Sequence, residues 1–214
     1  MDPRTAVGTM GCLLLLAVAS TPAAPPPDTG DVVVVPGLRV GALTREGGET
    51  DLVAAYGAAA VRAVDVELGE GESAAGTLLF PDDERRRIEI VWADAAGRRL
   101  PAQATLRGAA TAWRLPGGVT LGLSLEQVER LNDGGFEVAG FAWDGGGVVL
   151  SWHEGRLAET LGPAVRVFFV TDEAAQQRPE FLEVQGDRPF ASDLPALRAL
   201  APKVGRIVVW FEQP

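Results

Sequence analysis

The chain has 214 residues, 47% of them apolar and 22% charged, a composition that fits a globular protein rather than a disordered one. Its 29 acids against 19 basic residues leave a net charge of −10, which argues against nucleic acid or an anionic membrane as partner, because each phosphate contact needs an exposed cation. Lys203 is the only lysine. The arginine run Arg85–Arg87 directly follows Asp82, Asp83 and Glu84, so it is neutralised locally and reads as a solvated turn.

The chain starts "MDPRTAVGTMGCLLLLAVASTPAAPPP". Its apolar run, Met10 to Ala19, is too short to span a bilayer as a helix and ends in the small-x-small pattern Ala17-Val18-Ala19. Residues 1–19 therefore read as a secretory signal peptide, with a periplasmic or secreted location expected. Cys12 precedes the main apolar stretch, Leu13 to Ala19, whereas a lipid-attachment cysteine follows its apolar stretch, so a lipid-anchored outer-membrane form is the lesser alternative. Loss of the signal would leave a chain without thiols, hence without disulfides or a cysteine nucleophile. Residues 20–30 are a proline-rich spacer. A single domain is expected over 31–214, made of two similar halves of about 31–115 and 116–214.

In chain order, a short strand ending at Gly41 precedes a helix capped by Thr50, with Leu52 and Tyr56 one turn apart and Gly57 as terminator. "VDVEL" alternates Val64, Val66 and Leu68 against Asp65 and Glu67, and "RIEIVW" puts Ile88, Ile90 and Trp92 on one face. Further strands are expected near 76–80 and 111–115. "LGLSLEQVERLNDGG" carries a capping box at Ser124 and Gln127, an apolar face at Leu125, Val128 and Leu131, and glycines that end it at 134 and 135. Strands near 136–142 and 147–152 would then form a hairpin whose turn starts at Asp144. "VRVFFV" and "IVVWF" are nearly uniformly apolar and predict central strands. Between them, "SDLPALRALAP" predicts a helix capped by Ser192 or Asp193, with Leu194, Leu197 and Leu200 on one face and Pro202 as the stop. The order gives an α+β fold, short helices packed on antiparallel sheet. Because Trp92, Trp152 and Trp210 each end a strand, it also suggests a duplicated helix-plus-strands unit.

The residue inventory narrows the chemistry. His153 is the only histidine, no GxSxG elbow is present, and Ser124 is spent on its helix cap, so a hydrolytic triad is disfavoured. One histidine without cysteine is a poor zinc set, and no EF-hand spacing occurs. "WDGGGVVLSW" lacks the Lys-Ser/Thr of a phosphate loop. No cofactor or metal is expected. Carboxylate pairs could serve a glycosidase-like hydrolase, but acids are too common here to single any out.

The segment "GVTLGLSLEQVERLNDGGFEVAGFAWDGGGVVLSW" resembles a group of uncharacterised exported bacterial proteins. In these a capped helix ends in Asn-Gly and leads to a Gly-Phe-x-Trp-Asp-x-x-Gly hairpin, matched by Asn132, Phe136, Gly140, Phe141, Trp143, Asp144 and Gly147, while Asp133 interrupts the Asn-Gly. At the level of architecture, the helical starts look like those of β-lactamase-inhibitor proteins and small outer-membrane assembly lipoproteins, which implies a non-enzymatic exported protein that binds another protein. Two function classes follow. The first is a non-catalytic envelope protein offering a surface to a second envelope protein. The second is a small-ligand or glycan binder with Trp143 or Trp113 as stacking platform and Asp144, His153 and Glu154 nearby as polar groups. Tryptophans bordering an open groove would favour the second; the period-two alternation instead assigns Trp143 and Trp152 to the core.

Overall fold

A computed structural model describes residues 30–212, so the signal-peptide and most of the spacer assignments lie outside the described residues. The chain starts with three two-residue strands, β1 (Val34–Val35), β2 (Arg39–Val40) and β3 (Leu43–Thr44), and helix α1 (Glu49–Tyr56). A four-strand meander follows: β4 (Val61–Gly69), β5 (Glu72–Leu79), β6 (Ile88–Asp94) and β7 (Arg99–Arg107). Next come α2 (Leu125–Asn132), the hairpin strands β8 (Glu137–Ala139) and β9 (Val149–Ser151), α3 (Arg156–Leu161) and β10 (Val165–Val170). The chain closes with α4 (Glu173–Gln176), α5 (Pro179–Glu183), β11 (Pro189–Ala191), α6 (Pro195–Leu200) and β12 (Lys203–Trp210). The fold is α+β, with short helices beside antiparallel sheet.

The main sheet runs β10-β12-β7-β6-β5-β4, every neighbouring pair antiparallel, and two three-stranded sheets, β1-β2-β3 and β11-β8-β9, flank it. Register puts Ile90 opposite Ala104, Leu106 opposite Ile207, and Val167 opposite Ile207, so these side chains share one face. The helices cover that inner face. Leu52 and Tyr56 of α1, Leu125 and Val128 of α2, Leu157 and Leu161 of α3, and Leu197 and Leu200 of α6 join it in a single buried cluster. The alternation read from "RIEIVW" holds, with Ile88, Ile90 and Trp92 all buried there. The Trp92 indole N–H finds Thr77 Oγ1 at 2.9 Å, and Thr77 in turn donates to Glu49, whose carboxylate pairs with Arg98 at 2.9 Å. A buried indole, a hydroxyl and an ion pair thus satisfy one another at the α1 end of the core.

Several local expectations need correction. Thr50 is inside α1; the cap is Gly48, whose N–H donates to Asp51 Oδ2 at 2.8 Å. The α2 capping box is as expected, with the Ser124 N–H on Gln127 Oε1 at 2.8 Å, but the helix ends at a left-handed Asp133 and not at the glycines. Neither Ser192 nor Asp193 caps α6; Leu194 does, and the buried Ser192 hydroxyl instead donates to Glu129 and accepts from the Phe136 N–H. Residues 111–115 form only an isolated bridge, Arg114 with Val33. The missing strand is β7, whose Pro101 and polar Gln103, Thr105 and Arg107 hid it. Register skips Ala102, so Pro101 sits beside a bulge, where an interior strand tolerates it. β12 is interior, but β10 is an edge of the main sheet, shielded by the bridge of Val148 to Phe168. The element order differs between the halves: four strands follow α1, whereas two short strands and a helix follow α2.

Asn132 ties the second half together. Its fully buried amide donates to the carbonyls of Gly134, Gly135 and Trp152, and its Oδ1 accepts the Leu157 N–H at 3.1 Å. One side chain therefore joins the end of α2, the end of β9 and the start of α3. Removing it leaves buried backbone groups without partners, each costing about 1–3 kcal/mol. Asn132→Ala is expected to lower stability by about 2–4 kcal/mol. Urea denaturation checks this; a shift below half the lower figure would mean that water replaces the amide.

Candidate functional site

Inward burial on alternate positions sends the other side chains of the same strands to the outer face. Register there sets Arg206 opposite Arg107 and Phe168, Val208 opposite Thr105 and Arg166, and Trp210 opposite Gln103. Among the described residues no helix lines this face; these side chains border a groove of about 500 Å³. Its other wall is the tip of the β4–β5 hairpin, Glu67 to Glu72, and its roof is Trp143, Asp144 and Gly145 of the loop between β8 and β9.

The groove is concave because both ends of the sheet reach it. β4 and β10 are five strand spacings apart, about 24 Å in a flat sheet. Yet the Glu70 N–H at the hairpin tip donates to Asp144 Oδ2 at 2.7 Å, on a loop fastened to β10. Register skips Leu68 in β4 and Gly205 in β12, and such bulges increase local twist. The fastening to β10 is backbone: the Phe169 N–H donates to Gly147 O at 2.8 Å, and the Gly147 N–H reaches Ala139 O at 3.1 Å. Gly147 has φ 74°, and a Cβ there would collide with Phe169 O. Beneath the loop, Phe168, Val208, Ala139 and Val148 form a second small apolar cluster on the outer face.

The tryptophans divide differently from expectation. Trp113 is 1% exposed, packed in the core near Phe80 with its indole N–H on Arg86 O at 2.9 Å; burial and that bond preclude a stacking role for it. Trp152 is half-buried against Phe136. Trp143 is the reverse case, 45% exposed, because the chain leaves the strand after Ala139 and alternation no longer governs it. Its indole N–H donates to Gly140 O at 2.8 Å, and the ring lies against Gly145, where a Cβ would strike it. The ring is thus held in place while part of it stays in solvent. Trp210, at the end of β12, is 44% exposed and borders the same groove.

Of the five sequence-predicted binding residues, the groove gathers Trp143 and Asp144. His153 and Glu154 are exposed in the turn between β9 and α3 and do not line it. Sequence reading missed Trp210, Phe168, Arg107, Arg166 and Arg206. A signal was present: "RVF" and "RIVVW" place an arginine in phase with an aromatic on otherwise apolar strands.

The charges are unevenly arranged. Arg107 pairs with Glu89 at 2.8 Å. Arg206 is partly buried, stacks its guanidinium 3.6 Å from the centre of the Phe168 ring, and has no carboxylate in ion-pair range among the described residues. Burial lowers its pKa from the ordinary value and Arg107 pushes the same way, while Glu89 and Asp144 oppose them. Glu67, Glu70 and Glu72 stand exposed on the opposite rim. No metal-binding cluster of His, Cys, Asp or Glu occurs among the described residues, and none of their helices is long and apolar enough to cross a membrane. No family model, curated protein or solved structure matches the chain.

Asp144 is the one side chain joining the roof to the hairpin tip by a hydrogen bond, and that bond is exposed. Asp144→Ala should leave global stability within about 1 kcal/mol, since exposed hydrogen bonds contribute little net. Amide exchange at Glu70 should speed up selectively in hydrogen-exchange NMR; unchanged protection there would show that the tip is held by something else.

Proposed function

We propose that the chain is a non-catalytic exported binding protein that holds a small ring-bearing ligand in the outer-face groove. The observation that carries this is the pair of half-exposed indoles, Trp143 and Trp210, bordering one concave site. An apolar ring left in water costs free energy that a stacked ligand recovers, and aromatic pairs contribute about 0.5–1.5 kcal/mol beyond area burial. A volume of about 500 Å³ is the size of a small-molecule site. The alternative occupant, a second envelope protein, would need about 800 Å² of surface on this side, whereas the roof and the hairpin tip, joined by the hydrogen bond from Glu70 to Asp144, frame a small concave site. The groove's side chains suit holding rather than reacting. Its cations are arginines, whose guanidinium groups are donors rather than bases, Asp144 already accepts a backbone hydrogen bond, and Glu67, Glu70 and Glu72 stand in solvent at the rim. Export rests on the signal-peptide pattern of residues 1–19.

A neutral planar probe, 2-naphthamide, tests the reading by ligand-observed NMR titration with the full chain. Saturable binding is expected, weakened about two- to tenfold by Trp143→Ala or Trp210→Ala, the size of one lost aromatic contact. Trp152→Phe, outside the groove, should bind as the parent does. Absence of saturable binding, or equal binding by both groove variants and the parent, would overturn the proposal.

A further inference from the structure

The like-charged pair at the groove floor is costly as it stands. Arg206 and Arg107 are direct cross-strand neighbours, an arrangement that destabilises a sheet when both are cations. Arg107 has Glu89, but Arg206 has only the face of Phe168 on one side. Arg166 opens onto the same site from β10 and makes no ion pair among the described residues. Three neighbouring strands of a chain with ten excess acids thus direct a guanidinium at one cavity. Guanidinium N–H groups are arranged to meet two oxygens of a carboxylate or phosphate at once, a geometry no other side chain offers.

We infer that the groove selects a ligand whose ring carries one carboxylate or phosphate group, received by Arg206 with Arg166 and Arg107 while the indoles of Trp143 and Trp210 hold the ring. The inference rests on the ring-binding site proposed above and names its chemistry. The four acids that line the groove do not cancel this preference. Glu67, Glu70 and Glu72 are solvated at the rim, where the effective dielectric is near that of water, whereas at Arg206, the one of the three arginines that is partly buried, a charge interaction counts about fourfold more. Asp144, the fourth, is engaged by the Glu70 N–H. The rim instead repels extended polyanions, which carry charge past the floor. The site therefore accepts a small anion and turns away nucleic acid or an anionic membrane, as the net charge already suggested.

A charge series on one ring tests it: 2-naphthoate, 2-naphthamide and 2-naphthylmethylammonium, titrated into the full chain by calorimetry at low and high salt. The order expected is naphthoate tightest and the ammonium weakest, with naphthoate about tenfold ahead of the amide, the size of one charge-assisted hydrogen bond. Added salt should narrow that gap. Arg206→Gln should erase the preference for naphthoate over the amide. Should that variant fail to fold, Arg166→Gln, at an exposed position, must reduce the same preference. Equal binding of naphthoate and amide, tighter binding of the ammonium, or an unaltered preference in the arginine variants would overturn the anion assignment and leave the ring site standing. Failure of all three probes would overturn both.

Discussion

Side chains on a strand alternate between its two faces, and in this chain that period of two governs everything beyond the core. Burying Leu106, Ile207 and Val167 against the helices forces Arg107, Arg206 and Phe168 to the other side, at matching heights on three adjacent strands. A slip of one residue in any of these pairings would drive an arginine into the apolar interior. The strength of the inner core thus fixes the geometry of the outer groove. The arginines need no separate device to place them, only a register that the burial of their neighbours already enforces.

An antiparallel sheet with one solvated face is common, and such a face is usually convex or flat and evenly polar. Two features change that here. Bulges at Leu68 and Gly205 add twist at the two ends of the sheet, and the loop between β8 and β9 reaches over from the β10 side to meet the β4–β5 tip. The loop needs its glycines for that path: Gly147 to lie against the β10 backbone, and Gly145 to let the Trp143 ring fold down. The glycine triplet turns the chain between the paired strands β8 and β9, and its first member, Gly145, lines the groove.

The capped helix and the hairpin are joined from beneath by Asn132. Its amide reaches the start of α3 and the carbonyl of Trp152, so the orientation of β9, and with it the loop before β9, depends on the end of α2. The segment running from the capping box at Ser124 to Trp152 is thus one mechanical unit. The helix end and the strand that follows the glycine loop are linked through this one amide.

Local patterns were enough to determine much of this protein. The capping box at Ser124, the alternation of Ile88, Ile90 and Trp92, the apolar faces of α1, α2 and α6, and the pairing of β8 with β9 depend on residues close in sequence, and each was readable there. Together they fixed an α+β fold with helices on antiparallel sheet. Strand order, the edge position of β10 and the existence of β7 were not readable, because they depend on which distant segments pair and on a bulge that makes room for Pro101. The site was legible only in part. Trp143 and Asp144 stood out as a loop motif, but whether an indole is buried or open is decided by what packs over it. Trp113 was enclosed by the core, whereas Trp143 and Trp210 were left beside a cavity assembled from both ends of the main sheet. Sequence specifies which side chains alternate; only the tertiary pairing of strands distant in sequence decides which of them face one another.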